Sequence, residues 1–600
     1  MIEEIYEPVT LFRDSLKETH ATNTSEFFEE LVRRSGVDEA VNAAKVNEIH
    51  KLDSEIGAHD GSEAFWRFVR KVFWLVAVAC VICIVVYALG ANNSNAPFSP
   101  QWAMAAFVGA AGSVFAVFFW LNPRIKTIRE ALQSLKEKRS EMINEALLQM
   151  APLNRLYDWD MPGKLVQKTV PLLQLDPYMT NGRLEEIRRT FGWSDRFNTN
   201  KSVLCTLSGQ INGNPFVVAE TLDFSMGAKT YRGSKSISWR ERQTTTDAQG
   251  RRHTSYVTKR QTLSASVTKP APEHYTNKVV IYGNEAAPTL RFSRSPSSFS
   301  DDGGGLLDKW RKSREIKELE KFSRNLDDDS GFTMMSNKDF EVLFHAIDRN
   351  DDVQFRLLFT PLAQRQMVTL LKDKSVGYGD DFAFVKDNMI NMVWPQHLSD
   401  LDLAAHPLAF HSYDLAAARR FFNDFNNDYF RSFFFAMAPV LTIPLYQQHR
   451  SHSDIYKDVY SRSPSFWEHE TIANIHGQDE FKHHLSATPN ILKTVVRESR
   501  DDVHLVEVTA YGFRTERHTE VVDKFGGDGN WHQVPVDWVE YLPVSRTSSM
   551  AVRESDGLSR LEYQDALFTP QWQDFFNKWD TSPARTLFRR TLMSFIESRA

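Results

Sequence analysis

Apolar and polar positions follow three rhythms along this chain, and the changes of rhythm divide it. The first is unbroken apolarity. From Val72 to Pro123 no charged residue occurs, whereas 25% of the whole chain is charged. Two runs fill this region, Val72 to Gly90 (19 residues) and Trp102 to Leu121 (20 residues). Each matches the ~20 residues that cross a ~30 Å hydrocarbon layer as a helix. The eleven uncharged residues between them, "ANNSNAPFSPQ", carry the Asn, Pro and Ser of a turn. Arg67, Arg70 and Lys71 precede the first run, and Arg124, Lys126 and Arg129 follow the second. The positive-inside rule then places both flanks in the cytoplasm. Trp66, Trp74, Tyr87, Trp102 and Trp120 lie near the run ends, where interfacial aromatics gather. The expectation is a two-pass membrane hairpin with both termini cytoplasmic; the alternative is a buried hairpin of a soluble core.

The second rhythm is helical. Ser25 before "EFFEELVRR" reads as a capped helix start, and Val41, Ala44, Ile49, Leu52 and Ile56 recur on one face. Beyond the second run, Ile125, Ile128, Leu132, Leu135, Met142 and Ala146 form a heptad-like seam broken by Arg139. Residues 37–65 and 124–150 are therefore candidates for an antiparallel stalk, with a helix lying on its own domain as the alternative. Inside the second run, Ala105, Gly109 and Ser113 recur every four residues and would let another helix approach closely. The first run is the expected partner, with a homo-oligomer as the second option.

The third rhythm has period two and begins near residue 200. "KSVLCTLSGQINGNPFVVAETLDF" reads as a hairpin turning at "NGN". "YRGSKSISWRERQTTTDAQGRRHTSYVTKRQTLSASVTKP" reads as a second, longer hairpin turning near Ala248, Gln249 and Gly250, and "VVIYGN" and "TLRFSR" as short strands. "SPSSFSDDGGG" is a linker by composition. Its glycines lack the following Lys-Ser/Thr of a phosphate-binding loop. "DFEVLFHAID" and "VQFRLLF" read as strands, Thr360 as a cap, Pro361 as the first residue of a helix, and "FAFVKDNMINMVW" as strands around a turn. Residues 401–485 return to helix, "GGDGN" turns a late hairpin, and two amphipathic helical pieces close the chain. The fold class is α+β: a two-helix transmembrane hairpin with a helical stalk, then a large β-rich cytoplasmic region followed by helical and β segments. The expected divisions are 1–65, 66–121, 122–195, 196–295, 306–400, 401–485, 486–550 and 551–600.

Composition and charge add limits. A net charge of −6 over 600 residues gives no general attraction to nucleic acid or anionic lipid, and Cys80, Cys83 and Cys205 are too few for a disulfide framework. Charge is nevertheless concentrated locally. Between Lys229 and Lys269 lie ten Lys/Arg, among them Arg240, Arg242, Arg251, Arg252, Lys259 and Arg260, against only Glu241 and Asp247. This arm could meet anionic lipid or a protein partner; nucleic acid is disfavoured, and a solvated hairpin guarded by its charges is the plain alternative. Eleven of 18 histidines fall between His406 and His532. His469 and His476 are seven apart, not the i, i+4 of H-E-x-x-H, and "HRSH" (His449, His452) and "KHH" (His483, His484) could add ligands only if the fold gathers them. "FFFAMAPVLTIPLY" is too short to span a membrane and reads as core. Trp572, Phe575, Phe576 and Trp579 share a helical face, which reads as core or as an interfacial helix with the basic "ARTLFRRTLMSF".

One stretch, "NKDFEVLFHAIDRNDDVQFRLLFTPLAQRQM", together with the two-run region and "QTLSASVTKPAPEHYTNKVVIYGNEAAPTLRFSR", resembles a bacterial integral-membrane family known as a domain of unknown function. The resemblance covers residues 60–400. It implies a bacterial membrane protein with a large cytoplasmic domain and brings no catalytic residue. The expected role is a membrane-anchored scaffold or interaction protein without a cofactor; a membrane-bound metal-dependent hydrolase and a channel or transporter subunit are the alternatives.

Overall fold

The computed structural model describes residues 4–92, 100–246, 252–297, 334–450, 463–500, 503–554, 577 and 585–596. Among these residues it is mixed, 48% helix and 32% strand, with two long apolar helices ahead of a sheet-rich region. The chain forms two compact units, one of residues 26–157 and 407–424, the other of residues 1–25, 158–406 and 425–600.

The first unit is built on two long helices. One, Glu39–Asn92, runs without interruption for 54 residues. The other comprises Pro100–Phe115, a π-helical turn Ala116–Leu121, and Asn122–Asn154. They run antiparallel, as cross-pairs show: Lys45 with Glu145 at 2.7 Å, Asp53 with Arg139, Asp60 with Lys136 at 3.5 Å, and Glu63 with Arg129 at 3.2 Å. Residues 45–63 and 129–145, within the two segments named as a candidate stalk, therefore pair antiparallel. The buried seam on the first helix includes Asn42, Val46, Ile49, Leu52, Ile56 and Glu63. Val41 turns outward, and Asn42 takes its place by bonding the Tyr413 carbonyl and the Leu415 amide.

On the second helix Ser113, Val117, Leu121 and Ile125 are buried at three successive steps of four. An ordinary heptad would step four, three, four and turn Ile125 off the seam. The π turn absorbs the extra residue: Asn122 N–H bonds Val117, five residues back. Pro123 follows, and without an N–H it could not have continued the α ladder to Phe119. Ser25, expected to start a helix, instead lies inside Lys17–Ser35.

The second unit holds two antiparallel sheets. Seven strands, β1 (Leu173–Leu175), β2 (Lys201–Ile211), β3 (Asn214–Thr246), β4 (Arg252–Gly283), β5 (Arg291–Arg294), β6 (Phe382–Asp387) and β7 (Ile390–Pro395), are ordered β1-β2-β3-β4-β7-β6-β5. Five more, β8 (Ile491–Arg500), β9 (Val503–Phe525), β10 (Trp531–Glu554), β11 (Thr586–Arg589) and β12 (Leu592–Ile596), are ordered β11-β12-β10-β9-β8. Asn212 and Gly213, with φ of 49° and 83°, make the two-residue turn between β2 and β3. Away from the far part of β3–β4, the first sheet is buried on both faces. Cys205, Leu207, Phe216, Val218, Val280 and Tyr282 join a core that includes Phe430 and Phe433, while Val203, Val217, Ala219, Val279 and Ile281 pack with Leu184, Ile187 and Trp467. The segment "FFFAMAPVLTIPLY" is largely buried in the first of these cores.

The two hairpins anticipated after residue 200 are both present and share β3, whose 33 residues join them into one meander. Two expectations are corrected. The segments read as strands at 339–348 and 353–359 are helices, Lys338–Phe344 and Asp352–Leu358. Asn337 and Asp351 cap them by accepting from Phe340 N–H and Gln354 N–H. Their β-prone aromatics sit at i, i+4, with Phe340 5.1 Å from Phe344 and Phe355 4.7 Å from Phe359, a spacing that only a helix brings together. Finally, "ARTLFRRTLMSF" is not helical: β11 and β12 form a hairpin, turning at Arg590 (φ 56°), that adds to the edge of β10. Trp572, Phe575, Phe576 and Trp579, like the turn near Ala248 and most of the anticipated linker, lie outside the described residues.

Candidate functional site

The two apolar runs lie inside the long helices, and both helices are long and apolar enough to cross a membrane. Only 6% of the most apolar window of the first and 22% of that of the second is buried. A core helix of a soluble domain would be mostly covered. Here Val72, Leu75, Ile82 and Leu89 on one helix, and Trp102, Phe107, Phe115 and Phe119 on the other, point outward. The helices touch along small residues. A Cβ on Gly109 would stand 3.2 Å from Cys80 Sγ, and Ser113 is buried. Ala105 is exposed, so the contact stripe runs through Ala106 and Gly109 to Ser113 and Val117. At one end Trp66 meets Trp120 edge-on at 5.6 Å, with the Arg124 guanidinium 4.6 Å over Trp66. Gly90 and Leu121 fall within this pair of helices as well, Leu121 buried on the seam.

The basic arm is the far part of the β3–β4 ribbon, paired without a bulge from Phe216↔Tyr282 to Thr246↔Arg252. Unbroken pairing keeps alternate residues on opposite faces. Odd-numbered residues face a second ribbon, β9–β10. Ile237, Leu263 and Ala265 are buried there with Val534 and Val536, and Gly233 lies directly against the Pro535 carbonyl. The lysines belong to this face and are engaged: Lys235 donates to the Gln533 carbonyl at 3.2 Å, Lys259 pairs with Glu241, and Lys269 pairs with Glu520 at 2.6 Å. Even-numbered residues make the opposite, open face. Arg232, Arg240, Arg242, Arg252 and Arg260 are all there and all exposed. Lys259 is thus separated from the arginines with which its sequence position groups it, and Arg251 lies outside the described residues.

The histidines do not gather into one centre among the described residues. His469 is buried on helix Phe466–His476 with neither ring nitrogen hydrogen-bonded, and burial, helped by the nearby His504, pushes its pKa down to about 3. His476 bonds Ser594 Oγ at 2.6 Å, and burial lowers it to about 4. The adjacent carboxylates tie the sheets together. Glu468 pairs with Arg589, and Glu470 accepts from Val203 N–H and pairs with Lys493 at 3.1 Å. Burial pushes Glu470 up to about 7 despite Lys493. The grouping with metal-ligand spacing among the described residues is Glu516, His518 and Glu540 on β9–β10, where Arg514 already pairs with Glu516 at 2.7 Å.

Sequence reasoning missed two hollows. One, of about 400 Å³, is lined by Phe224, Phe513, Tyr511, His274 and Lys493. The other, of about 580 Å³, holds Tyr378, Asp381, His397, Asp400, Asp428 and Ser432. Asp381 binds His397 Nδ1, but Nε2 lies 3.0 Å from the Ser432 carbonyl, and Ser432 Oγ bonds Tyr378 at 2.9 Å. With both ring nitrogens committed, the histidine has no atom left to take a proton from the serine, so the trio is not a nucleophile relay. Asp381 and His397 flank the open end of the β6–β7 hairpin, so strand pairing brings them together, while Ser432 comes from a separate helix. Compared with known proteins, the chain has no matching protein-family model, curated protein or solved structure.

Proposed function

We propose that this chain is an integral scaffold of the bacterial inner membrane. Residues 72–90 and 102–121 cross as a two-pass hairpin, both termini are cytoplasmic, and the sheet-rich unit presents contact surfaces to a partner. The carrying observation is the outward display of apolar side chains along two charge-free helices. In water that display would be unfavourable by about 25 cal/mol per Å² of exposed apolar surface; in hydrocarbon it is not. The cationic flanks, Arg67, Arg70 and Lys71 before and Arg124, Lys126 and Arg129 after, support the orientation, as does the resemblance to a bacterial membrane family. The Asp381–His397 pair has no ring nitrogen to spare, so this hollow offers no serine relay.

The test is alkaline carbonate extraction of membranes combined with cysteine labelling. The protein should stay with the membrane. In a background lacking Cys80, Cys83 and Cys205, an impermeant maleimide should tag Ser94→Cys in intact cells, but tag Ser549→Cys only after permeabilisation. Release by carbonate, or tagging of Ser549→Cys in intact cells, refutes the placement.

A further inference from the structure

We infer that the arginine face of the β3–β4 ribbon docks on the phosphates of an anionic bilayer. The inference rests on the membrane reading above and adds a second, peripheral contact. The ribbon sorts its cations by type. On the odd-numbered face Lys235 and Lys269 bond β9–β10 and Lys259 pairs with Glu241 of its own ribbon, whereas Arg232, Arg240, Arg242, Arg252 and Arg260 share the open face, and none has an ion pair among the described residues. No Asp or Glu occurs at an even position in 230–246 or 252–268, and most remaining positions are Ser or Thr, including Ser234, Ser236, Ser238, Thr258 and Thr262. Arg232 and Arg242 are ten residues apart, about 33 Å along a strand. A charge series this long, unneutralised, with hydroxyl donors between the guanidiniums, complements a field of phosphates: a guanidinium grips phosphate oxygens in pairs, and a hydroxyl donates to a third.

Other occupants fit less well. The face carries no Leu, Ile, Val, Phe or Met, so it lacks the apolar centre of a protein–protein interface. Its one aromatic is Tyr256, while Trp239 is on the covered face, so it is no stacking platform for single-stranded nucleic acid. A bilayer needs neither, and a chain held in the membrane meets that phosphate surface at high effective concentration.

The test uses the full chain in lipid nanodiscs, with Cys80 and Cys83 replaced by Ser and an environment-sensitive fluorophore on Ser236→Cys at the open face. The expected result is shielding from acrylamide in discs containing phosphatidylglycerol, no shielding in pure phosphatidylcholine, and reversal at about 1 M salt, where the Debye length is about 3 Å. Changing Arg232, Arg240, Arg242 and Arg260 to Gln should abolish the shielding, with an unchanged circular dichroism spectrum because these side chains are exposed. Each arginine neutralised singly should weaken it roughly fivefold. Shielding that is equal in both lipids, or that survives the fourfold change, overturns the inference. So does shielding produced by added RNA and not by phosphatidylglycerol. A chain that sits in the disc with its label unshielded leaves the membrane reading standing and removes this one; a chain that elutes apart from discs of both compositions removes both.

Discussion

His469 is a residue at which burial and bonding disagree. Its ring is enclosed, neither nitrogen has a hydrogen-bond partner, and its pKa is pushed down to about 3. The folded state therefore favours the neutral ring, whereas the unfolded ring takes a proton near pH 6.5. Stability from this group is present above pH 6.5 and is lost as the pH falls toward 3. His20, stacked on Phe430 at 4.0 Å and lowered by burial to about 4, and His476 act in the same direction. Glu470 opposes them: raised to about 7, it favours folding below pH 4.5, and that contribution is lost as the pH rises through 7. In urea unfolding, His469→Leu is expected to flatten the loss of stability between pH 6.5 and 5, with a gain at pH 5 exceeding that at pH 7.5. An unchanged pH slope would contradict a buried neutral ring. A second residue-scale prediction concerns Arg349, which is fully enclosed and pairs with Glu341 at 2.9 Å and Asp352 at 3.0 Å. Arg349→Ala leaves the buried Glu341 without its partner and should cost about 3–5 kcal/mol, while Arg349→Met with Glu341→Leu should recover much of that.

Among the elements, the packing of ribbon on ribbon depends on one position. A Cβ on Gly233 would stand 2.0 Å from the Pro535 carbonyl oxygen, a backbone atom that cannot swing away. Gly233→Ala should separate the ribbons at a cost of about 1–3 kcal/mol, whereas Ser234→Ala on the open face should change little. Thermal unfolding of the pair distinguishes a close approach from simple strand propensity. The stalk makes a geometric prediction. With Lys45 and Glu145 2.7 Å apart, Lys45→Cys and Glu145→Cys should be joined within one chain by a short bis-maleimide. Lys45→Cys with Glu130→Cys, four turns away, should not. Registers of this kind were partly readable beforehand: the 124–150 seam could be placed from apolar spacing alone, but the outward turn of Val41 could not, because Asn42 is buried for its bonds to Tyr413 and Leu415, which are 371 and 373 residues distant.

For the molecule as a whole, the deciding variable is the solvent around each surface. The long helices expose apolar side chains, and the β-rich unit buries them on both faces of its first sheet. Ile82→Arg, near the middle of the first apolar run and facing outward, should reduce membrane insertion by about 3 kcal/mol and raise the carbonate-extractable fraction. The same charge at exposed Val353 of the second unit should leave extraction unchanged.

Sequence by itself determined the features that depend on chain-local physics. The absence of charge from Val72 to Pro123, the Asn-Gly turn at 212–213, the Thr360 cap with Pro361 and the alternation of β6 and β7 all follow from one segment and its solvent. Tertiary structure alone decided the rest. Phe340 and Phe344 carry strand propensity, yet ring packing with Phe355 and Phe359 made their segment a helix. The C-terminal basic stretch became a hairpin because the edge of β10 offered unpaired backbone groups. The arm's ten cations were visible as a count; the division of those described into engaged lysines and open arginines was fixed by the ribbon's unbroken register and by the second ribbon that covers one of its two faces.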